Sequence, residues 1–197
     1  MPHISYSEMK DWAFCAFYHK LTRIDKVQGF KGNVFTAFGT AVHTICERKL
    51  LKKKATVEVF DLSKKPLPLC DGLTAYGDSN VQELSRLVQE ADAILLASPV
   101  YNYDVNAAAK NAIELTGKAW TNKLVGILLA AGGPGSYMSA MGVANSLMLD
   151  FRCLVLPRFI YALGDAFQGD ELCDQQIDQR ITELTDELIR LSSAIKK

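Results

Sequence analysis

The sequence is short of several things, and each shortage closes off a class of protein. It has no excess of either charge: 22 Lys and Arg stand against 22 Asp and Glu. Neither a general basic field for nucleic acid nor an acidic, disordered character is expected. Its five cysteines (Cys15, Cys46, Cys70, Cys153 and Cys173) are odd in number and include no Cys-x-x-Cys pair. That suits a reducing compartment better than a disulfide framework. The opening Met-Pro-His-Ile-Ser-Tyr-Ser-Glu lacks the basic start and apolar core of a secretory signal. The longest apolar runs, near 94–97 and 124–131, are strand-sized and far short of a membrane span. No internal repeat or low-complexity tract is present. A cytoplasmic, globular protein is expected, and 197 residues suffice for one ordinary domain but not for two large ones.

What is there alternates strand and helix from Ala55 onward. Thr56-Val-Glu-Val-Phe60 is rich in β-branched and aromatic residues and predicts a strand. Ser79-x-x-Gln82 predicts a capping box, and Val81, Leu84, Leu87, Val88 and Ala91 then mark one helix face. A buried strand over Ala93–Ala97 leads through the loop 98–104 into a helix from about Val105 to Leu115. A further strand, Leu124–Ala130, ends in Gly132-Gly-Pro-Gly135, and a helix follows from about Ser136 to Leu149. A last strand covers Cys153–Leu156. The final helix carries Ile177, Ile181, Leu184, Leu188, Leu191 and Ile195 on one face, a stripe that reads as the cover of a sheet. Continuous apolar strands separated by helices predict a doubly wound parallel α/β sheet.

The first fifty residues read differently. Ser5-x-x-Glu8 opens a helix with Met9, Trp12, Ala13, Ala16 and Phe17 on one side, Val27–Phe35 is extended, and a second helix runs from about Ala37 into Lys52-Lys-Lys54. Those lysines read as the solvated carboxyl end of a helix, where the dipole favours them. Two segments are therefore expected, an atypical, mainly helical one over 1–50 and an α/β one over 51–197. His43 and Cys46 stand at i, i+3 on one helix face, but two ligands without partners predict packing rather than a metal site.

The candidate chemistry lies in the loops after the strands, because open α/β sheets bind ligands outside the strands' carboxyl ends. Pro99-Val-Tyr-Asn-Tyr103 offers two stacking faces, Tyr101 and Tyr103, and in Asn102 a side chain that both donates and accepts. The same residues could instead form a turn whose tyrosines close the core. Gly132-Gly133 allows close backbone approach and an anion-friendly concavity beside a helix amino end, with Tyr137 as a ring neighbour or a core residue. No catalytic acid or base stands out.

Pro99-Val-Tyr-Asn-Tyr103, the glycine turn one βα unit later, and Ala107-Ala-Ala-Lys-Asn111 resemble the NAD(P)H-dependent FMN reductases, a flavodoxin-like family. The likeness covers about Ala55 to the carboxyl end. It implies a flavodoxin-like fold and FMN held by Pro99, Val100, Tyr101, Asn102 and Tyr103 on one side and by Gly132, Gly133 and Tyr137 on the other. Hydride would pass from NAD(P)H through FMN to a quinone, flavin or similar small acceptor, and the chain would form a homo-oligomer.

Such a family opens with an apolar strand and a Ser/Gly-rich phosphate loop, and residues 1–50 stand in their place. The missing strand is central in the flavodoxin order. Either Val27–Phe35 fills its slot, or Thr56–Phe60 pairs directly with Ala93–Ala97, or two ladders go without a partner. Ser5-Tyr-Ser-Glu-Met-Lys-Asp-Trp-Ala-Phe-Cys15, Tyr18 and Phe38-Gly-Thr-Ala-Val-His43 resemble the amino-terminal part of RecB-like PD-(D/E)xK nucleases. That likeness implies an active-site role for His43 and, in some members, an iron–sulfur role for Cys15. The chain's Glu47-Arg-Lys49 falls on a helix and no carboxylate strand follows, so an intact metal-dependent nuclease is not expected. A nuclease fragment or nucleic-acid module, and a non-catalytic α/β scaffold, are the competing expectations. The arrangement as a whole reads as a fusion.

Overall fold

The computed structural model describes residues 44–168 and 171–195. The amino-terminal helix, Val27–Phe35, Cys15, His43 and the nuclease-like motif lie outside the described residues. The described chain runs α1 (44–52), α2 (Ser79–Glu90), β1 (Ala93–Tyr101), β2 (Asp104–Val105), α3 (Ala107–Thr116), β3 (Leu124–Ala131), α4 (Ala140–Leu149), β4 (Leu154–Val155), β5 (Ile160–Leu163), β6 (Phe167–Gln168), β7 (Glu171–Leu172) and α5 (Gln175–Ile195).

The two continuous apolar runs form the centre of the sheet. β1 pairs with β3 in parallel from Ala93↔Leu124 to Pro99↔Ala130. The other edge of β3 takes β4 and then β5, both parallel. Every position of β3 is buried. Because successive strand side chains point to opposite faces, Val125, Ile127, Leu129 and Ala131 join one core with α2, α3 and α4. Leu124, Leu128 and Ala130 join the other, under α1 and α5. The expected doubly wound α/β architecture is therefore present, with a core on each face of the sheet.

Gly126 marks how closely α5 lies on that second face. A Cβ there would stand 2.9 Å from Leu95 Cδ2 and 3.4 Å from Leu184 and Leu188 Cδ1. The α5 stripe does as expected at Ile177, Ile181, Leu184 and Leu188, which are buried, but it runs out at Ile195, which is exposed. Cys46 of α1 is buried in the same layer, and burial pushes its thiol pKa up to about 12.

Several boundaries differ from the sequence reading. Thr56–Phe60 forms no strand and does not pair with Ala93–Ala97. A β-rich segment needs a ladder partner, and these residues find none among the described residues. Residues 56–60 instead line one side of a cleft of about 280 Å³ whose lining also includes Ile94–Ala97 of β1. Helix α2 is capped by Asp78, not Ser79. The Asp78 carboxylate accepts from the Asn80 and Val81 amides, and its backbone is extended as a cap requires. The strand expected over Cys153–Leu156 shrinks to Leu154–Val155. Pro157 and Arg158, the latter at φ 60, break it before it resumes as β5 on the same edge of β3. The helix expected from Ser136 begins as a 3-10 turn over Pro134–Ser139 and becomes α-helical at Ala140.

Candidate functional site

The loop expected over 98–104 is not a loop. β1 continues through it to Tyr101, turns over Asn102 and Tyr103, and returns as β2, with Val100↔Val105 and Tyr101↔Asp104 opposed. Asn102 and Tyr103 both have positive φ, 50° and 66°. Two left-handed central residues are the signature of a type I′ hairpin, whose usual occupants are Asn-Gly. Asn102 suits its place. Tyr103 does not, because a Cβ-bearing, bulky residue in this region costs about 1–2 kcal/mol. Tyr103 is nonetheless 55% exposed, so burial among the described residues offsets little of that cost.

The hairpin is anchored at its base. Ser98 is buried, and its Oγ accepts from the Asn106 amide at 3.1 Å. Asn106 Oδ1 caps α3 by accepting from the Ala109 amide at 2.9 Å. The Pro99 carbonyl also accepts from the Asn106 amide, at 3.1 Å. That side of Pro99 thus faces the hairpin and not β3, so its missing N–H costs the β3 ladder nothing. Lys110 Nζ lies 2.7 Å from Asp104 Oδ2 and holds that carboxyl below its ordinary range.

The second wall is the turn after β3. Gly133 is extended (φ −168°, ψ 165°) and Pro134 opens the 3-10 turn. Tyr161 of β5 donates its hydroxyl proton to the Gly133 carbonyl at 2.6 Å. The ring of Tyr137 stands 4.9 Å from that of Phe159 and 5.4 Å, edge-on, from that of Tyr161. Burial raises the Tyr161 phenol above its ordinary value, against hydrogen bonds from the Ser136 amide and hydroxyl. The Tyr103 phenol adds to the rise. β2 also packs against both the 3-10 turn and α4.

The structure thus brings Tyr137, Phe159 and Tyr161 to one aromatic cluster at the carboxyl edge of the sheet, on the 3-10 turn against which the hairpin carrying Tyr103 packs through β2. Tyr101, Asn102 and Gly132 are exposed beside them. Gly133 carries the carbonyl that fixes the turn. Pro99 and Val100 lie within β1, Val100 packed on the core, and support the hairpin from behind. Tyr161, Phe159, Ser98 and Asn106 complete the arrangement and were not among the residues expected. Phe159 and Tyr161 carry a legible signal, two aromatics at i, i+2 where the chain enters β5.

The family profile described as NADPH-dependent FMN reductase matches residues 29–168. The chain belongs to this family. The match begins ahead of Ala55, so the family-like sequence reaches further toward the amino terminus than the motifs had indicated. Among curated relatives, an NAD(P)H-dependent FAD/FMN reductase of Geobacillus thermodenitrificans is 25% identical over 87% of this chain and 95% of its own. An NADPH:quinone oxidoreductase of Arabidopsis thaliana is 30% identical over 68% of this chain and 69% of its own. Among solved structures, a flavoenzyme NAD(P)H:(acceptor) oxidoreductase from Paracoccus denitrificans superposes with a TM-score of 0.65 at 18% identity, over 79% of this chain and 90% of that one. At that identity the likeness speaks for the fold, and it agrees with the flavodoxin-like sheet of this FMN reductase family member.

Proposed function

We propose that the chain is an FMN-dependent NAD(P)H oxidoreductase that reduces a quinone, flavin or similar small acceptor. The observation that carries this reading, within the family, is Tyr103: a bulky residue held left-handed and solvent-exposed at the tip of a hairpin whose β2 packs on the turn that carries Tyr137. Strain kept at a site without internal compensation points to a ligand that the side chain serves.

The residues fit a flat cofactor with a polar edge. Tyr101, Tyr103 and Tyr137 are exposed ring faces of the kind that stack on a flavin. Asn102 can both donate to and accept from the ring's edge. The Gly132-Gly133 turn lets the backbone come close, since neither residue carries a Cβ. Asp104, the acidic side chain of the hairpin, is neutralised by Lys110, so the site does not oppose negative charge on reduction. When bound, FMN supplies the redox step, accepting hydride from NAD(P)H and returning it to the acceptor. The chain's own part is to hold the ring, exclude water from its face and stabilise charge at its edge, and no residue needs to move a proton for this. A cytoplasmic homo-oligomer, with residues 1–50 as a distinct segment ahead of the reductase domain at 51–197, completes the proposal.

Supplied with FMN, the chain is expected to oxidise NADPH or NADH when a quinone is added. No oxidation, with FMN demonstrably bound, would contradict the oxidoreductase reading. Asn102→Ala and Tyr101→Ala should each weaken FMN binding, and unchanged affinity in both would place the flavin elsewhere.

A further inference from the structure

The turn after β3 is held from the side by a single phenol. Tyr161 reaches from β5 to the Gly133 carbonyl, 2.6 Å away, while its buried ring backs Tyr137. Gly133 is fully extended, and in such a residue the N–H and C=O point to the same side. One hydrogen bond therefore turns both polar groups of Gly133 toward β5. Pro134 follows and has no N–H to offer. Gly135 then carries the first amide of the turn, at a position where N–H groups lack an intrahelical acceptor, while the Ser136 amide is directed to the Tyr161 hydroxyl.

We infer that Tyr161 is a positioning residue for the flavin: by drawing the Gly133 carbonyl toward β5 it keeps a carbonyl oxygen from facing the pyrimidine edge, so that the turn offers the Gly135 N–H there. The inference rests on the FMN reading above. Its consequence is larger for reduced than for oxidised FMN. Reduction concentrates negative charge at that edge, where a carbonyl dipole repels and an N–H dipole attracts. The Tyr161 hydroxyl thus raises both the affinity for FMN and the ease of its reduction without touching the cofactor.

Tyr161→Phe keeps the ring against Tyr137 and Phe159 and removes only the hydroxyl. Three readouts on the full chain test it. Without flavin, amide hydrogen exchange at Gly135 should quicken. FMN should bind about tenfold more weakly, the effect of one lost hydrogen bond to a fixed loop. If reduced FMN is weakened tenfold more than oxidised FMN, the midpoint potential of the bound flavin falls by about 30 mV. A merely structural tyrosine would lower the Tm and leave the potential of bound FMN where it was, and that result overturns the inference. Unchanged exchange at the turn overturns it as well. If the unmodified chain takes up no FMN, the FMN reading itself fails. If it binds FMN and the variant matches it in affinity and potential, the positioning role alone fails.

Discussion

Tyr103 allows a test in which the backbone and the ring are separated. Replacing it by Gly or by Ala removes the same exposed ring, so the two variants differ in the cost of φ 66° and in unfolded-state entropy. At an ordinary position Ala is the more stable by about 0.5–1 kcal/mol, because Gly loses more freedom on folding. In the left-handed region a Cβ costs about 1–2 kcal/mol. The balance inverts the usual order, and Tyr103→Gly should exceed Tyr103→Ala in stability by about 0.5–1 kcal/mol. For a chain of this length that is about 1–4 °C in Tm. Denaturant melts of both variants without flavin measure it, with equal m-values certifying that the unfolded states match. Both variants should also lose FMN affinity about five- to tenfold, the worth of one aromatic contact. Tyr103→Ala proving the more stable would refute the left-handed hairpin. Both variants keeping full FMN affinity would refute the explanation given for its strain.

Two further outcomes concern the packing that positions the site. Gly126→Ala should destabilise the chain by about 1–3 kcal/mol, since the added methyl meets Leu95, Leu184 and Leu188 across the sheet–helix contact. A thermal melt within 1 °C of the parent would mean that α5 does not lie as described. Ser139→Ala should leave stability equal or raise it by up to about 1 kcal/mol, because the Ser139 Oγ is buried without a hydrogen-bond partner at the start of α4. A clear loss of stability would show that the hydroxyl is used.

The layered fold was legible because its signals were redundant. The run Leu124–Ala131 is apolar throughout and could only be a central strand, and the α5 stripe supplied the matching cover. Where signals competed, the reading slipped. Ser98-Pro99 looks like a strand end, yet Pro99 sits in the parallel ladder because its missing donor faces outward. Asp78 and Ser79 are both good caps, and backbone geometry chose the aspartate. Thr56–Phe60 has strand propensity but no partner among the described residues, and propensity without a ladder forms no strand. The site was legible in part. The Pro99–Tyr103 and Gly132–Gly133 motifs fall at the carboxyl edge as expected. That Tyr103 is left-handed runs against the Asn-Gly preference of its turn, and that Tyr161 ties down Gly133 depends on a contact between segments 28 residues apart, which no local pattern encodes.

The measurement that bears most directly on the central claim is an equilibrium FMN titration of the full chain, followed by flavin fluorescence and the visible spectrum. Saturable binding with a perturbed flavin spectrum, weakened by loss of Tyr103, is the predicted result. A folded chain that takes up no FMN at any practical concentration would contradict the account and leave an α/β scaffold without its cofactor.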